Sequence, residues 1–269
     1  MKQFNLPSGA VVTKPFNKIW IVLATLIVLV LIFSYFIFSR TPFFNLSVLA
    51  DILKKMFSPR ANQTWGDYFS YMLNLREPLV ETLSMALGGT IIGSVIAIPI
   101  AVLSAQNITK LKIIRVPVRF FLNLFRTIPV VLLAIFSVYM VGIGVLPGLM
   151  AITGFSFGIM AKMLFEIIET VDMSPYEALE STGATKTQAV VRAILPQVFP
   201  VYISYLIYIF EINVRASAIF GYFGAGGLGT VILENTGMYY ERVGATVILM
   251  LGVVLVIQFM SNYIRGKLQ

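Results

Sequence analysis

The sequence predicts an all-α, polytopic membrane protein with about six transmembrane helices and both termini in the cytoplasm. Three observations predict it. The 269 residues are 58% hydrophobic and 12% charged, against about 25% charged in soluble domains. The apolar residues gather into long uncharged runs, as a helix crossing hydrocarbon requires. The basic residues flank those runs and fall mainly on one side of the membrane. There is no cysteine and no histidine. That excludes disulfides, thiol nucleophiles and imidazole-based metal or acid–base chemistry. A net charge of +8 would suit nucleic acid, but the basic residues form no aromatic-interleaved patch, so no nucleic-acid partner is expected.

Residues 19–38 form the first run, between Lys18 and Arg40. It is too long for a signal peptide and no small-residue cleavage site follows, so a retained helix is expected. The second run is 83–103. Residues 127–141 form most of a third, beginning near 120. The fourth is 147–168, interrupted late by Lys162 and Glu166. The fifth, 196–220, carries Glu211 and Arg215, and the sixth, 243–264, is free of charge. Orientation follows from Lys2, Lys14 and Lys18, from Lys110, Lys112, Arg115 and Arg119, and from Arg265 and Lys267 in the C-terminal tail. With six spans all three groups share one side, which the positive-inside rule makes cytoplasmic. Segment 40–78 has five Lys/Arg, but it is long and also holds Asp51, Asp67 and Glu77. Its Trp65, Tyr68, Phe69 and Tyr71 suit an interfacial outer element. Two parts are expected: an N-terminal helix plus outer segment over 1–77, and a membrane core over 78–264 with a cytoplasmic loop at 172–196.

That loop is the most regular polar stretch. Ser174 and Glu177 have capping-box spacing, with Pro175 at the first helical position. Gly183 stands where a short helix needs a left-handed C-terminal residue. Thr185 and Gln188 repeat the capping-box spacing. A two-turn helix, a glycine stop and a second helix entering the membrane near Pro196 are therefore predicted. Such a capped helix is suited to docking a soluble partner.

Charge inside the bilayer costs about 2.5–3.5 kcal/mol per residue, so each instance needs a reason. Glu211 and Arg215 share a helix face at i,i+4 and lie in the outer half of the fifth span. They form either a structural pair or a polar wall where Arg215 attracts an anion. Lys162 and Glu166 have the same spacing near the cytoplasmic end, where snorkelling and packing suffice. Arg126-Thr127-Ile128-Pro129 falls one or two turns into the third span, where Pro129 opens the backbone ladder. Arg126 either pairs with freed carbonyls or faces the pathway. Gly89, Gly93 and Ala97 form a small-residue stripe for close helix packing, within or between subunits. Gly224-Ala225-Gly226-Gly227-Leu228-Gly229 matches a dinucleotide fingerprint but follows a membrane helix, not a strand. It is read as a tight turn or as a backbone nest for an anion. Gly224, Gly226 and Gly227 join Arg126, Glu211 and Arg215 as candidates for the substrate path. No P-loop occurs, so ATP, if used, is bound elsewhere.

Glu177, Ala178, Leu179 and Gly183, followed by Leu195 and Pro196, resemble the coupling loop of permease subunits in binding-protein-dependent ABC importers. Leu179 stands where the family has alanine, and Ala193 where it has isoleucine. The Arg126-x-x-Pro129 element is also similar. Phe210-Glu211-Ile212-Asn213-Val214-Arg215-Ala216-Ser217-Ala218, with the glycine run after it, looks like the permeases of phosphonate importers. Only this likeness adds Asn213 to the candidates for the substrate path. The likeness covers roughly residues 78–264. It implies a type I ABC importer core in which Ser174, Glu177, Ala178, Leu179, Gly183, Leu195 and Pro196 form the ATPase-coupling loop. It also implies a cytoplasmic ABC ATPase dimer carrying ATP and Mg, a second permease subunit and an extracytoplasmic substrate-binding protein, all within membrane lipid. No cofactor and no catalytic residue is expected on this chain. Phosphate, phosphite and other anions fit the same chemistry. A self-sufficient secondary transporter and a membrane enzyme are the other classes considered; the docking loop and the lack of a nucleophile or metal cluster count against them.

Overall fold

The computed structural model describes residues 3–5, 11–13, 18–40 and 46–268. The chain divides into two units, Met1–Asp51 and Ile52–Gln269. The division precedes the boundary near 77 expected from the sequence. In the first unit β1 (Gln3–Asn5) pairs antiparallel with β2 (Val11–Thr13), with Phe4 opposite Val12. This hairpin is the one departure from an all-helical chain among the described residues. Helix α1 (Lys18–Arg40) takes up the first apolar run.

After α2 (Leu46–Met56) come α3 (Trp65–Asn74), α4 (Arg76–Ser104), α5 (Lys112–Thr127), α6 (Val130–Val141) and α7 (Val145–Ile168). Then follow α8 (Ser174–Ser181), α9 (Lys186–Ala189), a π-turn at Val190–Ile194, α10 (Leu195–Tyr222), α11 (Gly227–Asn235) and α12 (Tyr240–Leu268). Among the described residues four helical stretches are long and apolar enough to cross a membrane: α4, α7, α9 through α10, and α12. A fifth arises if α5 and α6 count as one bent span.

That bend corrects the third span. An uninterrupted helix from near 120 was expected, but α5 and α6 meet at 89°. The cause is local. Proline disfavours the helical region for the residue before it, and Ile128 accordingly has ψ 118°. Helix α5 therefore stops at Thr127, and Arg126 lies in its last turn, just before the break. The basic residues Lys112, Arg115 and Arg119, read as loop, lie on α5. Helix α6 has 12 residues, about 18 Å, well short of the ~30 Å hydrocarbon core.

The core is built on α4 against α7. A Cβ on Gly89 would lie 2.5 Å from Ile152 Cγ2, and one on Gly93 2.4 Å from the Thr153 carbonyl oxygen. The small-residue stripe thus serves packing within this chain. The matching order, 89 with 152 and 93 with 153 and 156, makes the two helices parallel. Helix α10 joins both through Asn213, whose Nδ2 donates to Thr90 Oγ1 and Ser156 Oγ, each at 2.7 Å.

The bundle has two ends. At one, α4 and α7 finish beside the first half of α5. Arg119 of α5 pairs with Glu169 and donates from Nε to the Ser104 carbonyl at 2.8 Å. Glu169 also accepts from the Gln106 N–H at 2.7 Å. At the other end lie α3, the start of α4, the glycine turn and the start of α12. The π-turn has its own cause. Pro196 has no N–H, and its ring would crowd the Arg192 carbonyl in a regular helix. A wider turn just ahead of it relieves both problems.

Candidate functional site

The candidate residues fall in two polar regions of the bundle: the α7–α10 connection, and the charges and glycines on and after the C-terminal half of α10. The connection forms the predicted two-turn helix, but its N-terminal cap is different. Ser174 does not make a capping box with Glu177. Instead the N–H and Oγ–H of Ser174 donate to Asp172 Oδ1 at 3.0 and 2.7 Å. An Asx turn two residues upstream outcompetes the serine. These two bonds hold the Asp172 carboxyl below its ordinary value. Gly183 has φ +89°, and its N–H donates to the Glu180 carbonyl at 3.0 Å while that of Ala184 donates to Leu179 at 3.1 Å. This is the left-handed stop that glycine supplies. Thr185 and Gln188 make a reciprocal capping box for α9.

Helix α8 is clamped on one side and open on the other. Tyr176 is buried and packs with Ala189, Val190, Ala193 and Ile194; Leu179 leans on the same cluster. Burial raises the Tyr176 phenol above its ordinary value. Pro175, Glu177, Ala178, Glu180 and Ser181 are exposed. Both departures from the family pattern, Leu179 and Ala193, therefore face the chain's own core. Leu195 is half-buried and Pro196 exposed. Gln197 ties the connection to α10, donating from Nε2 to the carbonyls of Asp172 at 3.1 Å and Ala193 at 2.8 Å.

On α10, Glu211 is buried, 4% exposed. It pairs with Arg215 as the spacing suggests. It also accepts from Arg265 Nη2, at 3.3 Å to Oε2. Arg265 lies in the last turn of α12, not in a free tail, and donates to Asn262 Oδ1 at 2.8 Å. A buried carboxylate is tolerated when cations and hydrogen bonds surround it, and two guanidinium groups do so here. The Arg215 side chain remains 49% exposed. Asn213 is wholly buried between helices, so it joins α4, α7 and α10 and lines no open path within this chain. Arg126 is exposed beside Phe125, Gly154 and Gly158 at a cavity of about 240 Å³.

The glycine run forms both a tight turn and the start of α11. Gly224, Gly226 and Gly227 have φ of +87°, +78° and +71°. Four of its N–H groups are engaged within the chain, those of Gly224 and Ala225 with the carbonyls of Gly221 and Phe220. Gly227 N donates to Glu81 Oε2 at 3.1 Å, and Leu228 N to Thr82 Oγ1 at 2.9 Å. The backbone nest suggested for an external anion holds the chain's own carboxylate. Gly221 and Gly229 let α10 and α11 touch: a Cβ on Gly229 would lie 2.3 Å from the Ala218 carbonyl oxygen.

Sequence reasoning missed Asp172, Glu81 and Arg265. Asp172 two residues before Ser174 carried a readable signal. Glu81 and Arg265 carried none, because their partners lie far away in sequence.

The architecture is thus a multi-pass helical bundle with a short helix between two spans, buried on one face and exposed on the other. Residues 97–268 match the model of the binding-protein-dependent transport system inner membrane component family. The chain belongs to this family, the permeases of ABC importers, and is a multi-pass protein of the cytoplasmic membrane. It is 36% identical over 200 residues to the phosphite transport system permease protein PtxC of Stutzerimonas stutzeri, spanning 74% of this chain and 72% of that one. It is 34% identical over 187 residues to the phosphate-import permease protein PhnE of Mycolicibacterium smegmatis, spanning 69% of this chain but 35% of that protein. It is 36% identical over 109 residues to the putative cryptic phosphonate transport system permease protein PhnE2 of Escherichia coli K12, spanning 40% and 89%. Among solved structures it matches the MetNI methionine ABC transporter in inward-facing form. That match has TM-score 0.65 and 27% identity, over 74% of this chain and 97% of the other.

Proposed function

We propose that this chain is the membrane-spanning subunit of an ATP-driven importer of phosphorus oxyanions, with phosphonates as the first candidate and phosphate or phosphite as alternatives. The observation that carries the substrate class is the likeness to permeases named for phosphite, phosphate and phosphonate transport. Six spans with both termini inside place α8 in the cytoplasm. A pair of permease subunits, identical or paralogous, forms the path. A cytoplasmic ABC ATPase dimer holds ATP and Mg, and an extracytoplasmic binding protein delivers the anion. This chain holds no cofactor of its own.

The mechanism is alternating access. The exposed face of α8 rides in the ATPase, and closure of the ATPase pair displaces it. Tyr176 and Leu179 anchor α8 to the cluster around Ile194, and Gln197 anchors Asp172 to α10. Displacement of α8 is thereby passed to α10, which carries Glu211 and Arg215. Arg215 and Arg126 offer planar donors matched to an anionic phosphorus centre. Glu211 offsets part of the Arg215 charge, which favours release over retention.

The test is ATPase activity of the reconstituted complex with its binding protein, comparing alkylphosphonate, phosphite and phosphate. Stimulation by alkylphosphonate alone is expected. Stimulation by phosphate or phosphite alone moves the substrate to that anion. Flux through the purified chain without any ATPase would overturn the importer reading.

A further inference from the structure

Away from the coupling helix and the Glu211 cluster, α3 and α12 enclose a polar cleft of about 160 Å³ lined by Asp67, Tyr71, Asn74, Glu241 and Arg242, among others. Glu241 is buried, 8% exposed, and its Oε1 has no hydrogen-bond partner. A buried carboxylate oxygen without a donor is costly. Arg242 stacks over Tyr239 and Tyr71, at 4.5 and 5.4 Å from the ring centroids, and Arg60 lies 5.6 Å from that of Tyr239. Among the described residues neither arginine has an ion pair. The cleft therefore offers an acceptor lacking a donor beside the Arg242 guanidinium, which has no ion pair, with Arg60 on the neighbouring Tyr239 ring.

Adjoining the cleft, an apolar groove of about 710 Å³ runs between α4 and α12, lined by Met72, Leu87, Phe210, Leu249, Gly252 and Val256, among others. Met72 follows Tyr71 of the cleft, and Leu249 lies one helical turn after Ala245, which also lines the cleft. Residues 245, 248, 249, 252, 253, 256 and 257 form one stripe on α12. It extends about 18 Å at 1.5 Å per residue. An added Cβ on Gly252 would meet nothing within 4 Å, so the groove is open there. Beside the cleft, Trp65 and Phe69 are exposed, as aromatic side chains are at a membrane–water boundary.

We infer that the cleft and groove together form a binding site for one phospholipid with a primary-amine headgroup. The ammonium donates to Glu241, the phosphate sits against Arg242 and Arg60, and an acyl chain fills the groove past Gly252. The occupant follows from charge complementarity. A phosphatidylglycerol headgroup satisfies the arginines but meets the Glu241 carboxylate only with neutral hydroxyls, which bond it more weakly than an ammonium does. A quaternary amine carries no N–H to give it. The apolar lining of the groove makes it unsuitable as a path for an anion.

The test uses the full chain extracted from membranes, exchanged into dioleoyl phosphatidylethanolamine, phosphatidylcholine or phosphatidylglycerol and read by native mass spectrometry. One phosphatidylethanolamine per chain is expected to be retained, with about a tenfold preference over the other two. Glu241→Gln should remove that preference. Gly252→Phe should abolish retention of all three while leaving the melting temperature within a few degrees, because its side chain enters open space. Equal retention of the three lipids by the unaltered chain would overturn the proposal. So would retention unaffected by Gly252→Phe. Loss of self-association in that variant with lipid content unchanged would overturn it too, and give the groove to a helix of a second chain.

Discussion

Two glycine-containing turns of the chain, at Gly183 and between α10 and α11, do opposite things. At Gly183 a Cβ would meet nothing within 4 Å; the residue is there for its φ of +89°. At Gly221 and Gly229 the backbones of α10 and α11 nearly touch, and a Cβ would lie 2.3–2.5 Å from backbone atoms. The first turn is an exposed stop that ends α8, the helix proposed to dock on the ATPase. The second is a packed joint that welds α11 to α10 and, through Glu81 and Thr82, to α4. A transport subunit needs both: a joint that does not give, and an end that can be pushed.

Substitutions at the two turns should therefore separate folding from coupling. The largest loss of stability is expected for Gly229→Val. Its side chain has only backbone to displace, and overpacking of this kind costs about 3 kcal/mol or more. Little folded protein should survive detergent extraction, as read by size-exclusion chromatography. Next comes Glu211→Ala. It strands Arg215 and Arg265, whose partial exposure lets water take up part of the loss. About 2–3 kcal/mol is expected, seen as a lowered melting temperature. Removing Arg265 alone should do less, since Arg215 remains. Gly183→Val ranks third for stability, at about 1–2 kcal/mol for a side chain forced into left-handed backbone. Its effect on function should be far larger: ATP hydrolysis persists while uptake in proteoliposomes falls at least tenfold. Normal uptake by Gly183→Val would erase the contrast between the turns.

The smallest effect concerns Asp172. Its folded pKa is lowered, so its contribution is complete above the unfolded value near 3.9. That contribution is lost as pH falls through the lower folded value. Asp172→Ala should slightly loosen α8 at neutral pH, measured as faster amide exchange at Ser174, Tyr176 and Glu177, and should make no further difference in acid.

What was readable in the sequence follows the range of each interaction. The helix at 174–181, its glycine stop and the Thr185–Gln188 box rest on neighbours a few residues apart, and their spacing announced them. The long apolar spans were legible for the same reason, since hydrocarbon thickness sets their length. The bend at Ile128 was half legible: Pro129 was noted, but a local opening was expected where the helix in fact breaks. Glu81 meets Gly227 across 146 residues, and Arg265 meets Glu211 across 54. No periodicity encodes such pairs, so a backbone nest was read as open and a helix-end arginine as loop charge. Asn213 was placed on the substrate path by likeness alone, whereas its burial follows from Thr90 and Ser156 on two other helices.

The central claim is that the exposed face of α8 meets an ATPase in the cytoplasm. The chain contains no cysteine, so single cysteines report without background. Glu180→Cys, assembled with the ATPase subunits in membranes, should cross-link to the ATPase through a short bis-maleimide, while Thr64→Cys before α3 should not. Cross-linking from Thr64→Cys, or from neither position in an active complex, would contradict the account.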